Sequence, residues 1–249
     1  MTPKTLFIAD LHLSDSRPDI TAAFVDFIAQ LQQQTIDALY ILGDLFEVWL
    51  GDDYLDKTAR TVANTLADYH QTNQVPVYFI HGNRDFLLGQ HYAARAKMTL
   101  LPEHDIINLY GTKTLIMHGD TLCTDDAAYQ SFRKKVHSSE WQAAVLRLPV
   151  WIRKLKAANL RRRSKKINTI KPQILMDVNA QAVSEVMTAN HITQLIHGHT
   201  HRPASHQLKI DEKPATRYVL GDWFTQGSFL EVTPQRAKLV KLSLHQISA

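Results

Sequence analysis

The chain has 249 residues, 45% of them hydrophobic, and a net charge of +4, so it can bury a substantial core as one domain plus an insertion. No window approaches the length of a membrane span, and the opening Met1-Thr-Pro-Lys run lacks the charged and apolar regions of a signal peptide. The single cysteine, Cys123, excludes an internal disulfide and fits a reducing cytoplasm, where we expect the protein to act.

In chain order, Thr5 to Ala9 reads as a strand that stops at Asp10-Leu-His12, and Ile20 to Gln33 has helical periodicity. Ala38 to Leu42 is a second strand, stopping at Gly43-Asp44, followed by a helical pattern from Leu55 to Thr72. Val77 to Ile80 runs into Gly82-Asn83-Arg84-Asp85, and Leu115 to Met117 into His118-Gly-Asp120. Asp177 to Asn190 is a helix that precedes the strand Gln194 to Ile196 and the segment Gly198-His199-Thr-His201. Alternating strands are expected at Arg217 to Leu220, Phe229 to Val232 and Lys238 to Leu244. Periodicity alone supports an α/β class.

A two-metal site needs one carboxylate to bridge the ions, mixed imidazole, carboxylate and amide ligands, and open positions for water and phosphate. Asp10, His12, Asp44, Asn83, His118, His199 and His201 supply that set, each where an apolar strand stops. A lone D-x-H is weak evidence, but five such segments in order describe a phosphoesterase centre. Cys123 is not expected to act as nucleophile or ligand, because the set is complete without a thiolate. His81 and His197 alternate away from the ligand direction and are expected to be structural. Asp85, Asp120 and Thr200 are read as supports for the ligands. Trp49, Glu47, Asp52 and Asp53 fit either a pocket rim or an exposed acidic loop.

The residue after Asn83 is Arg84, which carries donors but cannot give up a proton near neutrality. A phosphate monoester leaves without an acid, since its second pKa is about 6. Arg84 therefore favours cleavage within a diphosphate, where a guanidinium stabilises phosphoryl charge.

Between Arg133 and Lys171 stand 13 Lys or Arg against one acid, Glu140, so this segment carries +12 and the remainder −8. The same segment holds Trp141, Val145, Leu146, Leu148, Val150, Trp151, Ile152, Leu155 and Leu160, arranged as faces of short helices around Pro149. Basic helices with tryptophan suit an anionic membrane surface or an acidic amphiphile. Lying between His118 and His199, the insertion can fold over the metal centre, and Trp151 and its apolar neighbours are expected to line an acyl tunnel.

The D-x-H, GD, GN, H and G-H-x-H segments resemble the calcineurin-like metallophosphoesterase family over Asp10 to His201. The resemblance implies two packed mixed β-sheets flanked by helices with a helical basic insertion cap, the core spanning 1–122 and 176–249 and the cap 123–175. It implies one metal held by Asp10, His12, Asp44 and His201 and another by Asp44, Asn83, His118 and His199, with manganese expected and zinc, iron or cobalt also compatible. The longer runs Tyr40 to Asp53, Phe79 to Gly89, Leu115 to Asp126 and Leu195 to Pro203 look like the UDP-2,3-diacylglucosamine diphosphatase family. That likeness implies hydrolysis of UDP-2,3-diacylglucosamine to UMP and 2,3-diacylglucosamine 1-phosphate (lipid X) in lipid A synthesis. It also implies action at the cytoplasmic face of the inner membrane and no nucleic-acid partner. The catalytic residues it implies are Asp44, Asn83, Arg84 and His118, and substrate contacts are implied for Asn83, Arg84, Asp126, Ser164, Asn168, Lys171 and His199. Asp126 also reads as a helix N-cap, and Ser164, Asn168 and Lys171 as ordinary polar positions of the insertion. A phosphoesterase for another nucleotide or for nucleic acid, and a non-catalytic basic binding module, are the alternatives.

Overall fold

The computed structural model describes residues 2–168 and 177–243, with side chains described through Ser164 and from Asp177 onward. Two mixed sheets pack face to face. The first runs β11(Ala237–Ser243), β10(Gln226–Val232), β1(Thr5–Ile8), β2(Ala38–Leu42), β3(Val77–Ile80) and β4(Met98–Leu100), with β1 to β4 parallel. The second runs β5(His104–Leu109), β6(Thr112–Met117), β7(Gln194–His197), β9(Lys213–Val219) and β8(Ala204–Ile210), with parallel β6, β7 and β9 flanked by antiparallel edges.

Strand alternation builds the layers. In β1, Leu6 and Ile8 face a core shared with α1(Pro18–Leu31), α2(Lys57–Asn73) and α3(Gln90–Arg95), while Phe7 and then Ala9 face the second sheet. Leu39 and Ile41 repeat this in β2, with Leu42 turned inward beside Ile80, Ile116 and Ile196. Burial on both faces explains why the parallel strands read as continuous apolar runs. On the far side, Leu115, Met117 and Leu195 pack against Val183 and Met187 of α7(Ala180–Ala189). The order is helix, sheet, sheet, helix, as the family resemblance implied.

Between β6 and α7, beyond a 3-10 turn at Asp120–Leu122, stand α4(Ala127–Val136), α5(Ser139–Leu146) and α6(Val150–Asn168). Pro149 separates α5 from α6, where its missing N–H costs nothing. Several contacts tie these helices to the core. Arg153 is buried against Asp53 and the Leu50 carbonyl, with Nη1 2.7 Å from Asp53 Oδ1. Phe86 stacks on His137 with ring centroids 5.1 Å apart, and Arg133 Nε donates to Asp120 Oδ2 at 2.6 Å.

One open alternative is decided and one expectation changes. The Trp49 to Asp53 loop is not a loose acidic surface: Trp49 is buried and donates to Asp52 Oδ1 at 3.0 Å, and the Asp52 carboxylate also takes the N–H groups of Gly89 and Tyr92. Trp151 is 63% exposed, and Leu155 58%, so they face outward and line no tunnel here. Arg153 explains it: two positions away on a helix is about 200° of rotation, so anchoring Arg153 inward turns 151 and 155 outward. Among the described residues, no helix is long and apolar enough to cross a membrane.

Candidate metal centre

All seven candidate ligands converge beyond the C-terminal ends of β1, β2, β3, β6 and β7, where parallel strands of both sheets finish together. They form two groups. On one side His12 Nε2 and His201 Nε2 stand 3.3 Å apart, with His201 Nε2 3.4 Å from Asp10 Oδ1. On the other, Asn83 Oδ1 lies 3.1 Å from His118 Nε2 and 3.0 Å from His199 Nδ1, the two rings being 3.2 Å apart at those nitrogens. Asp44 sits between: Oδ2 is 3.9 Å from His12 Nε2 and Oδ1 3.8 Å from His118 Nε2.

The backbone is held tightly to achieve this. Asp10, His12, Asp44, His199 and His201 all adopt positive φ, a conformation that costs L residues energy and persists only when the surroundings enforce it. Asp85 enforces part of it, accepting from Gly82 N at 2.9 Å and from the N–H groups of Asp44 and Phe46, each at 3.3 Å. Gly43 lies at φ +86°, and a Cβ there would come within 2.6 Å of Gly82 N. His118 Nδ1 donates to the Leu42 carbonyl at 2.8 Å, which leaves Nε2 for the centre.

Charge follows burial and proximity. Burial works to raise the Asp10 carboxyl, but the His201 contact and the charges of His118, His201 and His12 outweigh it and hold Asp10 well below the usual range. Burial pushes Asp44 up to about 6 against the pull of His118 and His12. Burial opposes protonation of His118, yet Asp44, Asp10 and Asp120 raise it to about 9, while burial and then His118 lower His199 to about 4.

The residues fit divalent cations. Asp10 Oδ1 is buried and makes no hydrogen bond, and Asp10, His12 and His201, like Asp10, Asp44 and His118, bring ligand atoms within 4.8 Å of one another. The set is oxygen and imidazole, which suits manganese, iron, cobalt or zinc alike. Cys123 is buried and plays no part in either group.

The other expected residues are distributed as follows. Arg84 is half-buried and its N–H donates to Asp44 Oδ1 at 2.8 Å. Asp126 is the N-cap of α4, accepting from Tyr129 N at 3.1 Å. Ser164 is half-buried on α6, whereas the side chain of Asn168 and the whole of Lys171 lie outside the described residues. His81 and His197 contribute no atom to either ligand group and are bonded to the carbonyls of Leu88 and Gly198. Asp120 holds the cap through Tyr129 and Arg133, and its charge also acts on the candidate ligands His118 and His199, while Thr200 Oγ1 is buried without a hydrogen bond.

Two carboxylates stand behind the imidazoles: the sequence suggested Glu47 as a rim residue without its partner, and Asp222 was missed. Glu47 Oε2 lies 3.2 Å from His12 Nδ1, and Asp222 Oδ2 lies 3.6 Å from His201 Nδ1. Glu47 had the Gly43-Asp44 segment nearby as a signal, and Asp222 had one too, because Leu220-Gly221-Asp222 after β9 repeats Leu42-Gly43-Asp44 after β2.

Residues 3–203 match the model of the calcineurin-like phosphoesterase family. The chain is 52% identical over 236 residues to UDP-2,3-diacylglucosamine hydrolases from Shigella dysenteriae serotype 1 and Escherichia coli O17:K52:H18, covering 95% of this chain and 98% of each relative. A dimetal phosphatase from Danio rerio, 10% identical, superposes with a TM-score of 0.51 over 98% of this chain and 99% of that one, a likeness of fold. The convergence of five strand ends on two ligand groups, and the match of family model and relatives along nearly the whole chain, place this protein in the calcineurin-like phosphoesterase family, in the branch of the UDP-2,3-diacylglucosamine hydrolases.

Proposed function

We propose that this chain hydrolyses the diphosphate of UDP-2,3-diacylglucosamine to UMP and lipid X, a step of lipid A synthesis, with water entering at the α-phosphate. The observation that carries this reading is the pair of ligand groups meeting at Asp44 in a chain 52% identical to hydrolases of that name. One ion is assigned to Asp10, His12, Asp44 and His201, the other to Asp44, Asn83, His118 and His199, with Mn2+ as the proposed metal. When bound, such ions supply Lewis acidity toward a phosphoryl oxygen and lower the pKa of water.

The chain's own residues do the remaining work. Asn83 and His199, their polar atoms 3.0 Å apart, orient the phosphoryl group from the side of His118. Arg84, placed beside the bridging carboxylate by its own N–H, stabilises charge and delivers no proton. None is required, because the departing lipid X carries a phosphate monoester. Residues 123–175 act as a cap on the core of 1–122 and 176–249. Asp126, Ser164, Asn168 and Lys171 are assigned to substrate contacts. The outward Trp151 and Leu155, on the same helix as Arg161, Arg162 and Arg163, support docking on the anionic cytoplasmic face of the inner membrane.

The test is Mn2+-dependent turnover in isotopic water. UMP carrying the label, together with unlabelled lipid X, is expected, and chelation should abolish turnover until Mn2+ is returned. No turnover by folded, metal-loaded protein would leave a phosphoesterase of other specificity. The basic insertion also permits a nucleic-acid substrate, which salt-sensitive binding of oligonucleotide without lipid would favour.

A further inference from the structure

Among the candidate ligands His199 has the most positive φ, +70°, a conformation that non-glycine residues avoid. Rotation about that bond is rotation of the Gly198–His199 peptide plane, so whatever fixes the plane fixes where the imidazole points. The plane is pinned at both ends. The N–H of His199 donates to Asp10 Oδ2 at 2.8 Å, and the carbonyl of Gly198 accepts from His197 Nδ1 at 2.8 Å.

His197 can make that second bond in only one tautomer. Arg217 projects from β9, whose register sets it opposite Leu195, and its Nη1 lies 3.1 Å from His197 Nε2. A guanidinium has donors and no acceptor, so Nε2 must accept and the ring proton must sit on Nδ1. The ring is fully buried and also presses on the His118 loop: a Cβ on Gly119 would lie 2.7 Å from His197 Nδ1, and Gly198 N donates to His118 O at 2.8 Å. His197 thus touches the backbone beside two members of one ligand group, His118 and His199, while both its nitrogens are spent.

We propose that Arg217 and His197 are a positioning pair that holds His199 in its ligating conformation and sets the affinity of the ion assigned to Asn83, His118 and His199. This rests on the two-metal reading above. The other group is supported differently, with Asp10 N and His12 N donating to the carbonyls of Gly43 and Asp44.

The experiment titrates Mn2+ into the metal-free full chain by calorimetry. For Arg217→Met, one of two binding steps should weaken by about tenfold or more, the scale of losing a group that orients a ligand, while the other keeps wild-type affinity. Arg217→Lys, which returns a donor to Nε2, should recover most of the loss. Adding Arg217→Met to Asn83→Ala should leave the remaining step unchanged, which assigns the weakened site. Should Arg217→Met fail to fold, His197→Gln is read by the same criterion. Both steps at wild-type affinity in a folded variant, or both weakened equally, would overturn the pairing. Wild-type protein that takes up fewer than two ions would instead overturn the two-metal reading itself.

Discussion

The N–H of Arg84 donates to Asp44 Oδ1 across 2.8 Å, so the loop after β3 fixes the carboxylate carried by the loop after β2. Asp44→Asn keeps the size of the side chain and an oxygen for that bond but removes the charge facing both ligand groups. Turnover should fall by roughly three orders of magnitude, the scale of losing a major electrostatic contributor, with far-ultraviolet circular dichroism unchanged. Retained turnover with normal metal content would remove Asp44 from its bridging role.

Two glycines separate packing from backbone strain. A Cβ on Gly82 would lie 2.2 Å from Asp44 Oδ1 and 2.3 Å from Asp44 N, and neither that backbone nor the ligand can yield. Gly82→Ala should lower the melting temperature and leave fewer than two ions per chain by elemental analysis. Gly111, at φ +91° with nothing within 4 Å of an added Cβ, carries only the conformational cost. Gly111→Ala should lose about 1 kcal/mol in denaturant titration and keep full metal content.

Arg153 is 3% exposed and pins α6 to the Leu50 carbonyl and Asp53. Arg153→Met keeps the apolar stem and loses the charge-assisted bonds. Amide exchange along α6 should accelerate. Turnover of a small water-soluble phosphodiester should persist while that of the diacylated substrate falls. Equal loss on both substrates would place Arg153 in the core's chemistry instead of the cap's attachment.

Burial, and next the carboxylates led by Asp120, push the Cys123 thiol up to about 12 from 9.0. A group raised in the folded state contributes stability that is whole below its unfolded pKa and lost as pH climbs toward the folded one. The melting temperature of wild type relative to Cys123→Ala should therefore hold steady below pH 9 and decline above it, as the unfolded thiol ionises. Thiol reagents at pH 8 should label Cys123 only at the rate of unfolding. Rapid labelling of the native protein would contradict the burial.

The sequence by itself brought out the buried parallel strands β1, β2, β3, β6 and β7, the helices α1, α2 and α7, and the seven candidate ligands. These strands are buried on both faces where they approach the centre and so read as apolar runs, and each candidate ligand stands where such a run stops. The short edge strands β4, β5 and β8 escaped, because exposed edges carry mixed residues whose pairing is decided by a neighbour distant in sequence. What the tertiary structure alone decided is the outer support: Glu47 behind His12, Asp222 behind His201, Arg217 behind His197, and the outward turn of Trp151 set by Arg153. Metal ligands betray themselves because coordination restricts residue type at a strand end. An orienting carboxylate or guanidinium can come from any element that packs nearby, and only the packing of one sheet on the other brings it there.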